Sequence, residues 1–256
     1  MADLTTKMVE ALTPRPKPSQ RSFLGHRGSP QWENTIHGIR HALDVGLDGV
    51  EIDLQLSADG QVVVFHDDDF VRLAGRKLRL SELSLREIIH IPLHGGGRVP
   101  TLEDVLAIWP EDAWLNLELK AGGEKLVVAT MDCIRKFPNL SNTACERIVF
   151  SSFDPNMLAT AVASKSREIQ AASYALLLHA LSPAWMHHDG GAQLGADWVH
   201  LPNALCSRSR VEMYLSRGFG VGAWGAPTIA REEELLKMGV QRIITDLIEN
   251  RSDLME

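Results

Sequence analysis

The chain has 256 residues, 45% hydrophobic and 23% charged, a globular composition that excludes a disordered or collagen-like chain. At roughly 150 residues per domain this length suits two modest domains or one large one, and an α/β barrel fills about 250 residues by itself. The 26 Lys and Arg against 33 Asp and Glu leave a formal charge of −7 with no basic block, which argues against nucleic-acid binding but leaves room for a small phosphorylated ligand in a local positive site.

Residues 1–20, with Pro14, Pro16 and Pro18, read as an extended lead-in outside the core. Their charges stand where a signal peptide needs an apolar stretch, and no apolar run reaches the ~20 residues of a membrane span. Cys133, Cys145 and Cys206 lack metal-finger or redox-pair spacing and read as thiols in a reducing compartment. The expectation is a cytoplasmic protein with no stable membrane insertion; the sequence is silent on its oligomeric state.

A short strand is predicted over 21–26. Asn34 and Thr35 can cap a helix with Ile36, Ile39 and Leu43 on its buried stripe, ending near Gly46. Residues 49–56 alternate strictly and place Glu51 and Asp53 on one face of a strand. Asp59-Gly60 is a strong turn signal, and 61–66 returns antiparallel. If Leu56 faces Gln61, His66 lies across from Glu51, and a slip of one residue would send one of them to the opposite face.

Residues 68–100, with Gly75 and Gly95-Gly96-Gly97, read as an excursion too short for an independent core. Thr101 to Asp104 is a capping-box pattern opening a helix through Ile108. Strands are then predicted over 114–119, 147–152, 169–174, 198–201, 220–223 and 242–245, with helices over 124–135, 157–164 and 228–237. With 21–25 and 50–55 the strands total eight, which makes a (β/α)8 TIM barrel the expected fold. It forms one domain over 21–250, with the hairpin as an extension of its second strand and a small insertion at about 68–100.

Barrel enzymes carry their reactive groups at the carboxyl ends of the strands. Those ends offer His26-Arg27, Glu51 and Asp53, Glu118 and Lys120, Ser152 to Asp154, His200, Trp224 and Asp246. Arg27 and Lys120 are too few to neutralise Glu51, Asp53 and Glu118 if all three are buried. A divalent cation balances that charge, and carboxylates are hard ligands suited to Mg²⁺ or Ca²⁺; the plainer reading is a salt-bridge network. His26 and His66 titrate near neutrality and can divide acid and base roles. Trp224 reads as a wall against substrate carbon or as core packing. His94-Gly95-Gly96-Gly97 resembles a lipase oxyanion loop, but the chain has no Gly-x-Ser-x-Gly elbow. His187-His188-Asp189 reads as a solvated loop before it reads as a second metal site.

Gly25-His26-Arg27-Gly28, Glu33-Asn34-Thr35, residues 49–54, Asp59-Gly60 and Val64-Phe65-His66-Asp67, followed by Asn116 to Lys120, Ser151 to Asp154, Trp224 and Ile244-Thr245-Asp246, resemble the glycerophosphodiester phosphodiesterase family. The resemblance runs over 23–247 and is most specific over 25–67. It implies a metal-dependent phosphodiester hydrolase on a barrel related to the phosphoinositide phospholipases C, releasing glycerol 3-phosphate and an alcohol from a small glycerophosphodiester. By motif position, Glu51, Asp53 and Glu118 would hold Mg²⁺ or Ca²⁺, His26 and His66 would form the acid–base pair, and Arg27 and Lys120 would bind the phosphate. The insertion would lie over the barrel mouth. His26 is assigned as base and His66 as acid, although the sequence does not fix which faces the leaving group. The attacking hydroxyl is water or a neighbouring glycerol hydroxyl. Trp32 where proline is usual, Gly225-Ala226-Pro227 in place of Thr-x-Asn, and Leu247-Ile248 after Thr-Asp depart from the family pattern and leave the released alcohol open. The alternatives are a non-catalytic phosphodiester binder and a lysophospholipase D or phospholipase C-like activity.

Overall fold

The computed structural model describes residues 21–137, 142–166 and 169–248; the lead-in expected over 1–20 and the last two residues of the expected domain lie outside them. The chain forms strands β1 (Ser22–Gly25), β2 (Gly49–Leu56), β3 (Val62–Val64), β4 (Trp114–Ala121), β5 (Ile148–Ser152), β6 (Ser173–Leu177), β7 (Trp198–Pro202), β8 (Gly220–Trp224) and β9 (Arg242–Thr245). All but β3 run parallel, in the order β1-β9-β8-β7-β6-β5-β4-β2, and β1 pairs with β2 to close the ring. This is the expected eight-stranded barrel. Its outward residues, among them Ile52, Leu54, Leu117, Phe150, Val199, Val221 and Ile243, share one core with the surrounding helices.

The helices begin where the sequence supplies caps. Helix α1 (Ile36–Asp44) is capped by Thr35, whose hydroxyl accepts from the Gly38 amide at 3.1 Å. Asn34 does not share that role; its side chain is turned into the barrel mouth, as described below. The insertion holds α2 (Val71–Ala74) and α3 (Leu85–Ile88), and its residues Phe70, Leu80, Ile88, Ile91 and Leu93 bury a small apolar cluster with Val63 and Phe65 of the hairpin. Helix α4 (Leu102–Ile108) opens with the expected capping box between Thr101 and Asp104. Among the described residues no helix is long and apolar enough to cross a membrane.

Two strand expectations shift. The sixth strand is Ser173–Leu177 rather than 169–174, and Tyr174 to Leu177 are all buried. A central parallel strand is covered on both faces, so it reads as an uninterrupted apolar run and carries no alternation to mark its start. In the hairpin, Leu56 pairs with Val62 and Leu54 with Val64, one residue off the expected register. His66 therefore does not stand across from Glu51. The buried side chain of Gln55 donates to three successive carbonyls, those of Phe65, His66 and Asp67, at 2.8, 3.0 and 2.9 Å. The last ladder bond runs from the Phe65 amide to the Asp53 carbonyl at 2.9 Å, and the Gln55 bracket holds the chain beyond it, at His66.

The amino-terminal end of the barrel is closed by an unusual layer. Arg242 is fully buried with its guanidinium 4.4 Å from the Trp114 ring centroid and 4.2 Å from that of Trp198, and its Nε donates to Ser22 Oγ at 3.3 Å. Gly220 makes room, since a Cβ there would lie 2.3 Å from the Trp198 ring. Burial lowers the guanidinium pKa to about 9, and the two π faces supply the charge stabilisation that water would otherwise give. His200, a candidate site residue in the sequence, is also fully buried on β7, beside Trp198. Burial holds its imidazole well below the usual range, and it does not line the mouth.

Candidate active site

After β1 the chain turns back through Arg27 (φ 55°) and Gly28 (φ 79°), a left-handed pair that glycine makes accessible. The turn is pinned to β2: the Gly28 amide donates to the Glu51 carbonyl at 3.2 Å and the Arg27 amide to Glu51 Oε2 at 3.0 Å. His26 is held by Asp246, which follows the neighbouring strand β9, with Nδ1 2.8 Å from Oδ1. Asn34, also left-handed at φ 55°, grips Asp53: its Nδ2 donates to Oδ2 at 2.7 Å and its Oδ1 accepts from the Asp53 amide at 3.1 Å.

Glu51 and Asp53 share a face of β2, and Asp53 pairs in register with Glu118 on β4. One oxygen from each of the three carboxylates lies within 4.8 Å of the others, and all three are buried. Burial, reinforced by the charges of Asp53 and Glu118, pushes the Glu51 carboxyl up to about 8. Burial and Asp53 lift Glu118 to about 6, against the pull of Lys120. Asp53 stays below its ordinary value: burial opposes ionisation, but Lys120 at 3.3 Å, His66, Arg27 at 3.5 Å and the Asn34 amide outweigh it. Glu51 Oε1 is buried with no hydrogen-bond partner. A set of hard oxygen donors carrying more negative charge than its cations offset fits a divalent ion.

His66 carries its own carboxylate, with Nδ1 2.7 Å from Asp67 Oδ1. The two imidazoles differ electrostatically. Burial works against protonation of His26, but the Asp246 hydrogen bond and the Glu51 charge win and raise its pKa. For His66 burial prevails over Asp53 and Asp67, and its pKa falls. Asp67 and Glu33 are both bound by Arg72 of α2, and Glu33 Oε1 also accepts from Arg27 Nη1 at 3.0 Å.

A cavity of about 220 Å³ takes in His26, Arg27, Glu51, Asp53, His66, Glu118, Lys120 and Trp224, so the residues singled out in the sequence as ligands, acid–base groups and substrate contacts meet in one place. It adds Asn116, Phe153, Leu177 and Ile244. Phe153 and Trp224 meet edge to face at 6.0 Å and make one side of the cavity apolar. Asn116 is fully buried with neither amide atom partnered; standing two residues before Glu118 on an alternating strand, it could have been found from the sequence. Ser152 is structural: its Oγ donates to the Leu119 carbonyl at 2.7 Å and accepts from the Asp154 amide at 3.1 Å. Among the described residues the acidic trio is the one group with metal-ligand geometry, and it does not include His187, His188 or Asp189; Asp189 pairs with Arg217 at 3.5 Å.

The sequence profile of the glycerophosphoryl diester phosphodiesterase family matches residues 25–250. A glycerophosphodiester phosphodiesterase of Caldanaerobacter subterraneus is 32% identical over 148 residues, covering 51% of this chain and 57% of that one, so the chain spans a little over half the length of that relative. A Mycobacterium tuberculosis protein named as a probable glycerophosphodiester phosphodiesterase 2 is 27% identical over 253 residues, covering 92% of this chain and 89% of its own. Among solved structures, an Oleispira antarctica phosphodiesterase in complex with sn-glycerol-3-phosphate superposes with a TM-score of 0.78 at 24% identity, covering 90% of this chain and 94% of that one, and so has the same fold.

Proposed function

The chain belongs to the glycerophosphoryl diester phosphodiesterase family, and on that premise we propose that it hydrolyses glycerophosphodiesters to glycerol 3-phosphate and an alcohol at the mouth of its barrel. The observation that carries this reading is the meeting of three buried carboxylates with two imidazoles, each backed by its own carboxylate, in one cavity. A protein that only binds phosphodiesters has no use for two oriented proton carriers.

Glu51, Asp53 and Glu118 would hold the cation, and the unpartnered Glu51 oxygen supports that fit. A bound Mg²⁺ or Ca²⁺ supplies positive charge against the negative charge that grows on the phosphoryl oxygens. Arg27 and Lys120 bind the non-bridging oxygens and hold the diester in line. Asp246 and Asp67 each engage Nδ1 of their histidine, which leaves Nε2 for the substrate. With no ion bound, Asp246 and Glu51 hold the His26 pKa above its ordinary value against burial, and burial holds that of His66 below it. That ordering favours His66 as the base and His26 as the acid, the reverse of the assignment drawn from motif order. His66 Nε2 takes the proton of the attacking hydroxyl, and His26 Nε2 gives its proton to the departing alcohol. Phe153 and Trp224 receive the carbon skeleton. The three thiols are consistent with a reducing, cytoplasmic setting.

The test is product release from a panel of glycerophosphodiesters and lysolipids, with chelator and with each metal restored. Activity that survives exhaustive chelation overturns the metal reading. The proton roles separate by leaving group: with p-nitrophenol departing, which needs no proton, His26→Ala should recover most of its lost rate and His66→Ala should not. A transient cyclic phosphate in phosphorus NMR would identify a glycerol hydroxyl, rather than water, as the nucleophile.

A further inference from the structure

The acid–base roles above leave Arg72 unused, although it makes the most fully engaged charge contact at the mouth. It comes from α2 of the insertion, outside the cavity lining, and its side chain is about half exposed (47%). Its guanidinium forks twice. Nη1 and Nη2 donate to Glu33 Oε2 and Oε1 at 2.7 and 2.6 Å, while Nε and Nη2 donate to Asp67 Oδ2 and Oδ1 at 2.7 and 3.0 Å. Each carboxylate passes the contact inward: Asp67 Oδ1 to His66 Nδ1 at 2.7 Å and Glu33 Oε1 to Arg27 Nη1 at 3.0 Å.

We propose that Arg72 is a positioning residue, a strut by which the insertion sets the imidazole of His66 and the guanidinium of Arg27 together. The inference rests on the function proposed above. An isolated exposed ion pair contributes little, but two bidentate forks on one planar cation fix geometry as well as charge. Both carboxylates it binds lie below their ordinary pKa, Glu33 through the Arg72 hydrogen bonds against burial and Asp67 likewise. Without Arg72, Asp67 is released to turn away from His66 Nδ1. Glu33 meanwhile keeps its whole charge for Arg27 and competes with the substrate phosphate. The first effect lowers kcat and the second raises KM. Lysine has one ammonium and cannot meet four oxygens in two planes.

Steady-state kinetics of wild type, Arg72→Ala and Arg72→Lys on one glycerophosphodiester at saturating metal, with thermal melting of each, test the strut. Arg72→Ala should lose on the order of 10- to 100-fold in kcat, a fraction of what a general base supplies, with a smaller rise in KM. Arg72→Lys should recover only part of it. Millimolar guanidinium should restore kcat to the alanine variant, whereas methylammonium, of equal charge, should not. Wild-type kcat in Arg72→Ala overturns the proposal, as does a loss that guanidinium leaves untouched; the rescue is scored on folded protein, so destabilisation of the insertion does not blur it. His66→Ala run alongside separates the two readings. If that variant is inactive and Arg72→Ala is normal, only the strut fails; if it is fully active, the acid–base reading fails.

Discussion

At the amino-terminal end of the barrel one guanidinium lies between two indole rings, while at the opposite end one oxygen from each of three carboxylates lies within 4.8 Å of the others. Both arrangements bury charge in the same cylinder. Arg242 is a lone cation held between two π faces, with Ser22 bonded to its Nε and Asp48 as its Coulombic counter-charge, and both of its Nη atoms are buried without a hydrogen-bond partner. The carboxylate layer instead gathers like charges: burial and mutual repulsion push Glu51 and Glu118 toward protonation, in a cavity that is open at the barrel mouth. Arg242 has neighbours of favourable sign, two π faces and Asp48, whereas each carboxylate at the mouth has another carboxylate as a neighbour. Perturbed, mutually repelling groups lining a cavity are what a ligand site at the mouth, as proposed above, would need.

The comparison breaks most sharply in turnover. His66→Ala and His26→Ala should each cost about 10²- to 10⁴-fold in kcat with unchanged melting, whereas Arg242→Met should leave kcat at wild type. If the Met substitution lowers kcat as much as a histidine change does, the two ends are not separate in function. Stability should sort the other way. Arg242→Ala empties the space between two rings and should cost about 2–4 kcal/mol in denaturant unfolding, with Arg242→Met within about 1.5 of wild type.

Metal removal sharpens the contrast. Saturating Mg²⁺ or Ca²⁺ should raise the unfolding free energy by about 2.7 kcal/mol at a hundredfold excess over Kd. Glu51→Gln should abolish most of that gain and leave the ion-free protein at least as stable as wild type, because the side chain no longer has to take up a proton to be buried. A smaller effect is the pH slope. Glu51 and Glu118 titrate at about 8 and about 6 in the folded protein against 4.5 in the open chain. Across that window the folded state therefore binds more protons, and ion-free stability falls as pH rises from about 4.5 to about 8. Saturating cation or Glu51→Gln should flatten the slope. Arg242, with its folded value lowered to about 9, takes no part until more alkaline pH, where its contribution has the opposite sign.

How much of this could be read beforehand follows from how local each cause is. The pairs Glu51/Asp53 and Glu118/Lys120 share a strand and a face, so period-two alternation alone revealed them. The eight strands followed from the same rhythm, except β6, the fifth of the barrel, whose doubly covered residues lack alternation. The hairpin register was missed because Gln55 sets it through three carbonyls 10 to 12 residues away, and a polar side chain in a strand does not announce its partners. Asn34 looked like a helix cap because capping is the commonest use of an asparagine before a helix. Its grip on Asp53 depends on a left-handed backbone that no pattern displays. His200 looked available because strand ends were inferred without depth. Arg72 sits in a segment with no periodicity, where only coordinates could bring it to Glu33 and Asp67.

The Trp114–Arg242–Trp198 layer also has a kinetic corollary. A cylinder stoppered at its base has a single doorway, so in the reaction proposed above the phosphorylated product and the alcohol would depart by the route that admits the next diester. Glycerol 3-phosphate should accordingly act as a competitive inhibitor.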